Sequence, residues 1–167
     1  MDGAARMKAE ERTAADGIKV EAVTVADAPM LYVSQRIPME PATIEKAIDH
    51  AMTELGSFMK EAGIAPAGRP VAVYRDYHEG VVTLDFGMPV PEAATEKASG
   101  EVMAGRTPAG AAQRAIHRGP YDTLVETYEA LEDSGTLRPH ALSWEVYVSD
   151  PANTAPNELV TEIYFAR

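Results

Sequence analysis

The sequence contains no cysteine. Disulfide bonds, thiolate metal ligands and cysteine nucleophiles are therefore excluded as sources of stability or chemistry. Because disulfides are rare in reducing compartments, a chain without cysteine fits the cytoplasm, and we expect a cytoplasmic location.

Basic residues are also scarce. Lys and Arg number 15 against 26 Asp and Glu, which gives a formal net charge of −11. A surface with this charge repels nucleic-acid phosphates and anionic lipids, so we expect no direct nucleic-acid or membrane contact and a neutral or cationic partner. Solubility alone is the alternative explanation of the acidity.

Long apolar segments and targeting signals are missing as well. No stretch is long and apolar enough to span a bilayer. Residues 1–17 mix both charges and lack the apolar core of a secretory signal. We expect these residues to form a disordered or frayed tail, with a short helix over Ala5–Ala15 as the alternative.

The remaining sequence runs twice through the same order of elements. Strand formers interrupted near Asp27–Pro29 precede an amphipathic helix between Pro41 and Gly63, and two strands joined by a turn at Glu79–Gly80 follow. After a linker comes a second extended segment, broken near Pro108–Gly110, then a shorter helix and two more strands.

The repeat extends to individual residues. Aligning "VAVYRDY" with "WEVYVSD" pairs Tyr74 with Tyr147, and aligning the last strands of the two halves pairs Asp85 with Glu162. Such duplication indicates two units that bury their open faces together.

We therefore predict an α+β fold. A strand–helix–strand–strand unit occurs twice, over about 18–90 and 100–167, within one domain over 18–167. The prediction includes antiparallel sheets and a groove on a pseudo-two-fold axis between the repeats.

Side chains in the four paired strands alternate between two kinds. Apolar positions such as Leu84, Trp144 and Ile163 alternate with acids and tyrosines such as Glu145 and Glu162. We expect the apolar face to pack on the helices. The other face has several tyrosines and no lysine, so we expect it to line the groove.

The predicted groove combines carboxylates with phenol rings from both halves of the chain. Its members are Glu162, Tyr164, Glu145, Tyr147, Tyr74 and Asp85. Each ring can attract a cation by about 0.5–2 kcal/mol, and a desolvated carboxylate with a raised pKa can neutralise the bound charge. The pattern favours a flat or lipophilic cation. The alternative is that Glu162 only accepts a hydrogen bond from a hydroxyl such as that of Tyr147.

Other chemical motifs are weak or missing. The four histidines lack zinc-site spacing, so we expect them in turns or at the surface and expect no metal and no cofactor. Ser57 and Lys60 match S-x-x-K, but they fall inside the predicted helix and no partner motif follows. Tyr121 opens the second helix near the mouth of the groove, where it either contacts a ligand or serves only the turn.

Three segments, "HRGPYDTLVETYEAL", "WEVYVSDP" and "ELVTEIYF", occur in this order. Together they resemble the GyrI-like small-molecule-binding domain, which is also the effector-binding domain of many AraC-type and MerR-type regulators. The resemblance covers about residues 18–167 and implies a duplicated strand–helix–strand–strand fold with a groove on the pseudo-two-fold axis.

The resemblance also implies functional residues. Glu162, in the T-E-I-Y-F motif, would lie at the groove floor and meet cationic, often aromatic ligands, with Tyr147 and Tyr164 as groove aromatics. Trp144 matches the family tryptophan, although strand alternation turns it toward the helices. The family's usual proline after this motif is replaced by Ala166.

Three roles follow from the resemblance. The first is a stand-alone domain that senses or sequesters lipophilic cations, which we favour because the sequence contains no DNA-binding segment. The second is a hydrolase of cyclopropane-bearing DNA-alkylating natural products, with Glu162 as general base and Tyr147 orienting the water. The third is a protein-binding module whose partner is DNA gyrase or a regulator. The sequence leaves the oligomeric state open.

Overall fold

The computed structural model describes residues 11–13, 18–138 and 141–166. Within the predicted tail, the backbone of Glu11–Thr13 forms a strand, so the alternative helix over Ala5–Ala15 is wrong at these positions. The rest of that prediction lies outside the described residues.

Eleven strands and helices make up the described fold. The strands are β1 Glu11–Thr13, β2 Lys19–Val25, β3 Pro29–Pro38, β4 Val71–His78, β5 Val81–Pro89, β6 Met103–Arg106, β7 Gly110–Arg118, β8 Ser143–Tyr147 and β9 Val160–Ala166. The helices are α1 Pro41–Ala62 and α2 Leu124–Asp133, and short 3₁₀ helices occur at Glu92–Lys97, Tyr121–Thr123 and Pro156–Glu158. Neither α-helix is long and apolar enough to cross a membrane in the described part of the chain.

One continuous antiparallel sheet joins the two repeats. Its strand order is β1-β2-β7-β9-β8-β4-β5-β3-β6. The series β7-β9-β8 mirrors β3-β5-β4 about the central pair of β8 and β4, which places the pseudo-two-fold axis between those two strands. The predicted α+β duplication is confirmed.

The first strand of each repeat pairs with a strand of the other repeat. Strand β2 pairs with β7, and β6 pairs with β3. The two bends that make this exchange possible cross each other: the Ala28 N–H donates to Thr107 Oγ1 at 2.8 Å and the Thr107 N–H donates to the Ala28 carbonyl at 2.9 Å. These are the predicted interruptions near Asp27–Pro29 and Pro108–Gly110.

The crossing bends force the sheet to curve strongly. In a flat sheet, β2 and β3 would lie six strand spacings apart, about 29 Å. The chain between Val25 and Pro29 spans at most about 15 Å. The sheet therefore bends until its two ends meet.

Helix α1 begins and ends as its sequence predicts. Pro41 occupies the first turn, and Gly63 follows the last turn with φ +69°, a left-handed conformation that glycine adopts without strain. Residues four apart form its buried stripe: Ala47, Ala51, Leu55 and Met59. This stripe packs on β3 and β5, including Leu84 and Phe86.

The two faces of the sheet are buried in different ways. On one face, α1 covers β3 and β5, and Leu131 of α2 packs with residues of β2, β7 and β9 such as Ala115 and Ile163. On the other face, Val71, Val73 and Trp144 form a buried cluster to which neither helix contributes. We call these the helix face and the inner face, because curvature folds the second face on itself.

Two glycines test the packing of this fold. A Cβ added at Gly87 would lie 2.7 Å from Met30 Sδ and 3.0 Å from the Leu31 carbonyl, whereas a Cβ added at Gly56 of α1 meets nothing within 4 Å. Gly87→Ala is therefore expected to lower the free energy of unfolding by about 1–3 kcal/mol. Gly56→Ala is expected to raise it by about 0.4–1 kcal/mol, because it restricts the unfolded chain. Urea denaturation measures both values, and equal stability of the two variants would contradict the packing described.

Candidate functional site

On the helix face, the central pair of strands lies between the two helices. Helix α1 lies over β3 and β5, and α2 lies over β2, β7 and β9. This arrangement leaves β4 and β8 between the two helices. We call the part of the helix face that β4 and β8 form between the helices the groove.

Glu145 of β8 lies in the middle of the groove, on the side of β8 that faces the helices. It is only 3% exposed and sits opposite Ala72 of β4 and Ile163 of β9. Three phenols donate hydrogen bonds to its carboxylate: Tyr128 at 2.6 Å, Tyr147 at 2.6 Å and Tyr74 at 3.4 Å. We call these four residues the Glu145 cluster.

The duplication explains why two tyrosines flank one acid. Tyr74 and Tyr147 are equivalent in the sequence repeat, and the pseudo-two-fold axis between β4 and β8 brings them to either side of Glu145. The position equivalent to Glu145 is Ala72, directly across the strand pair, and its small side chain leaves room for the carboxyl group.

Burial dominates the electrostatics of the cluster. It raises the pKa of Glu145 above the ordinary value, while the hydrogen bonds from Tyr128, Tyr147 and Tyr74 oppose the rise without cancelling it. Burial, together with the charge of Glu145, raises the pKa of each tyrosine well above its ordinary value. The phenols therefore remain protonated and able to donate.

Aromatic rings extend the cluster toward the mouth of the groove. The ring of Tyr147 lies 6.1 Å from that of Phe86 in a stacked arrangement and 5.7 Å from that of Tyr121 in an edge-on arrangement. Tyr121 is 37% exposed. A ligand role for Tyr121 stays a prediction.

Two cavities occupy opposite ends of the groove. The first, of about 300 Å³, is lined by polar and apolar side chains together, and its walls include Tyr74, Tyr128, Glu132, Leu137, Arg138 and Ser143. The second, of about 320 Å³, lies beside α1, and we call it the methionine cavity: its walls include Met52, Leu55, Met59, Lys60, Phe86, Met88 and Pro70. The two cavities lie toward opposite ends of β4, because Pro70, which precedes this strand, lines the second cavity and Tyr74, which lies within it, lines the first.

The prediction that all the acids and tyrosines share one face is wrong. In the sheet, Glu145 is paired with Ile163 and Val146 is paired with Glu162, so Glu145 and Glu162 point to opposite faces. Likewise Tyr74 is paired with Leu84, which turns it away from Asp85. Glu162, Tyr164 and Asp85 lie on the inner face, and Glu145, Tyr147 and Tyr74 on the helix face.

The expectation that the apolar set of each strand packs on the helices is wrong for β4 and β8, for the same reason. Trp144 was expected to face the helices, but it lies on the inner face, where its ring stacks on Tyr164 at 5.4 Å with an interplanar angle of 4°. Val71 and Val73 also point to the inner face. Alternation within each strand was correct, but the pairing register decides which set meets the helices.

Each acid of the inner face has partners of its own. Glu162 accepts a hydrogen bond from the Tyr164 hydroxyl at 2.9 Å, and Arg114 Nη1 lies 3.9 Å from it. Asp85 accepts a hydrogen bond from Ser34 at 2.5 Å and from Arg75 Nε at 2.7 Å. A ligand role for Glu162, Tyr164, Trp144 and Asp85 stays a prediction.

One histidine is buried, contrary to the expectation for all four. His117 of β7 is 7% exposed, with Nδ1 2.8 Å from Thr127 Oγ1 and Nε2 3.0 Å from the Pro120 carbonyl. These contacts hold the start of α2 against the sheet. His50 and His78 are exposed as predicted, and His140 lies outside the described residues.

Tyr128 is the member of the cluster that the sequence did not reveal. It lies in the apolar stripe of α2 with Leu124 and Leu131, which indicates core packing. The available signal was its hydroxyl group, because a tyrosine in a buried stripe needs a hydrogen-bond partner.

A metal ion has one plausible set of ligands in the described part of the chain. Ligand atoms of His50, Glu54 and Glu101 all lie within 4.8 Å of one another. The three side chains are at the surface, and His50 Nε2 already contacts the Glu101 carboxylate at 3.0 Å. This group lies outside the groove.

The raised pKa of Glu145 predicts a pH dependence of stability. Between the ordinary pKa of glutamate and the higher value in the folded protein, the folded state binds more protons than the unfolded state. The stability of the wild type relative to Glu145→Gln should therefore fall as pH rises through this window, by at most about 1.4 kcal/mol per pH unit. Chemical denaturation of both proteins across acidic to neutral pH measures this difference, and a difference that stays constant or increases would contradict the assignment.

Comparison with known proteins identifies the fold. The chain matches the GyrI-like small molecule binding domain over residues 18–166. A comparison with curated proteins finds no match. The structure superposes on EcmrR in a cryo-EM complex of EcmrR with DNA, with a TM-score of 0.71 and 22% identity over 98% of this chain, which spans 62% of the EcmrR chain.

Two further structures share the fold. The crystal structure of the EcmrR C-terminal domain gives a TM-score of 0.69 with 22% identity, over 89% of this chain and 96% of that one. SAV2435 bound to tetraphenylphosphonium gives 0.58 with 9% identity, over 87% and 92%. The duplicated fold and the match over nearly the whole described chain lead to one conclusion: the chain belongs to the family of GyrI-like small-molecule-binding domains.

Proposed function

We propose that the groove binds a lipophilic cation against the carboxylate of Glu145, and that the protein senses or sequesters such compounds. The observation that carries the proposal is the Glu145 cluster: a buried carboxylate whose three hydrogen-bond donors are neutral phenols. Phenol donors stabilise a negative charge without neutralising it, so a bound cation supplies the missing positive charge.

The contrast with the inner face supports this choice of acid. Glu162 lies near Arg114, and Asp85 binds Arg75. A cation that approached either of those acids would compete with a guanidinium group. At Glu145, a cation replaces only hydrogen bonds from phenols.

The rings around Glu145 suit the remainder of such a ligand. Tyr147, Tyr121 and Phe86 offer aromatic faces and edges beside the carboxylate. Cation–π attraction contributes about 0.5–2 kcal/mol per ring, and contact with apolar parts of the ligand adds to it. The related SAV2435 is bound to tetraphenylphosphonium, a cation with four apolar rings.

Glu145→Gln is expected to weaken binding of tetraphenylphosphonium by roughly tenfold or more, because it removes the charge partner of a desolvated cation. Glu162→Gln is the matched control on the inner face, and we expect its affinity to equal that of the wild type. Isothermal titration calorimetry measures both dissociation constants.

A neutral ligand separates charge from shape. Triphenylphosphine oxide should bind wild type and Glu145→Gln equally. If Glu162→Gln loses tetraphenylphosphonium while Glu145→Gln retains it, the inner face holds the ligand and the present assignment is wrong.

Hydrolysis is a second candidate function, favoured by one observation. A carboxylate with a raised pKa is a stronger base than an ordinary one, and Tyr147 and Tyr128 lie close enough to orient a water molecule. In this role Glu145, with Tyr147, takes the place predicted for Glu162. The gyrase and regulator partners inferred from the resemblance stay predictions.

Turnover distinguishes an enzyme from a binding protein. A hydrolase would open a cyclopropane-bearing alkylating compound, and Glu145→Gln would bind that compound without converting it. Binding without conversion by the wild type, followed by mass spectrometry, would leave the binding role alone.

A further inference from the structure

The function proposed above assigns no part of a ligand to the interior of the methionine cavity. Its volume of about 320 Å³ lies between α1 and the sheet, and its walls include three methionines, Met52, Met59 and Met88. Methionine side chains are flexible and polarizable, so they adapt to apolar groups of varied shape. A cavity of this kind suits a hydrocarbon group.

Tyr147 connects this cavity to the Glu145 cluster. Phe86 forms part of the cavity wall and stacks on the ring of Tyr147. Pro70, also in the wall, accepts a hydrogen bond from the Tyr147 backbone N–H at 3.1 Å. The hydroxyl at the other end of Tyr147 binds Glu145 at 2.6 Å. The length of one tyrosine side chain therefore separates the carboxylate from the cavity.

The opposite end of the groove has a different character. The first cavity contains the charged side chains of Glu132 and Arg138 and the hydroxyl of Ser143. An apolar group placed there would remove water from these groups without replacing their hydrogen bonds, which is unfavourable. The two ends therefore give a bound molecule a direction.

We propose that the preferred ligands are amphipathic cations with one flexible apolar arm, bound with the cationic head at Glu145 and the arm beside α1 in the methionine cavity. This inference rests on the proposed function and adds the class of ligand, its direction in the groove and the residues that receive its arm.

A homologous series tests the arm. The n-alkyltrimethylammonium ions from butyl to dodecyl share one head group and differ only in chain length. If the arm enters the cavity, the dissociation constant should fall by about fourfold per added methylene until the cavity is filled. Calorimetric titrations are made below micelle-forming concentrations.

Gly56 allows the cavity to be filled without disturbing the fold. It lines the cavity, and a Cβ added there meets nothing within 4 Å. Gly56→Leu and the larger Gly56→Phe should abolish most of the gain in affinity from longer chains, because their side chains would occupy the space that the arm fills. Ser57→Leu is the matched control, because Ser57 is exposed on the same turn of α1 and the described cavity wall does not include it.

The outcomes separate the two proposals. Equal affinity of wild type, Gly56→Leu and Gly56→Phe for the dodecyl ion, or no dependence on chain length in the wild type, would overturn the arm site. Glu145→Gln should weaken the whole series by a common factor and keep the dependence on chain length. If affinity still depends on chain length but Glu145→Gln has the affinity of the wild type, the proposal of a cation site at Glu145 is wrong and the proposal of an arm site in the methionine cavity stands. Binding by no member of the series would overturn both.

Discussion

The fold is organised around one carboxyl group held out of water where the two repeats meet. Glu145 draws its hydrogen bonds from β4 of the first repeat and from α2 and β8 of the second. Removing the carboxylate from water is unfavourable, and the phenols offset only part of that penalty. The part of this penalty that the phenols do not offset raises the pKa of Glu145.

Pseudo-symmetry places equivalent tyrosines on both sides of Glu145, and departures from that symmetry make the two sides of the site chemically different. Equivalent tyrosines, Tyr74 and Tyr147, approach from both sides, but the position opposite Glu145 is Ala72. Two buried acids facing each other there would repel, whereas a single acid between two tyrosines meets only hydrogen-bond donors. The cavities differ as well: one end carries Glu132 and Arg138, and the other carries methionines. A duplicated scaffold thus carries two cavities that differ in their side chains.

The sequence predicted elements and repeat better than it predicted faces. Pro41 and Gly63 mark α1 because their backbone constraints act locally, and the equivalence of Tyr74 with Tyr147 is visible in the letters. The face of Glu162 depends on its pairing with Val146 rather than Glu145, a long-range fact that a single strand does not contain. Tyr128 was hidden because its ring packs like any core residue and only its hydroxyl reaches the site.

The exchanged first strands have a consequence for how the chain folds. Strand β2 pairs with β7, as in Val20 with Ala115, and β3 pairs with β6, as in Leu31 with Ala104. Neither pairing can form until the second repeat is present. Contacts so distant in sequence slow folding, because a long loop closes before they form. On a ribosome, the first repeat emerges with an open sheet edge, and its structure is completed only by the second.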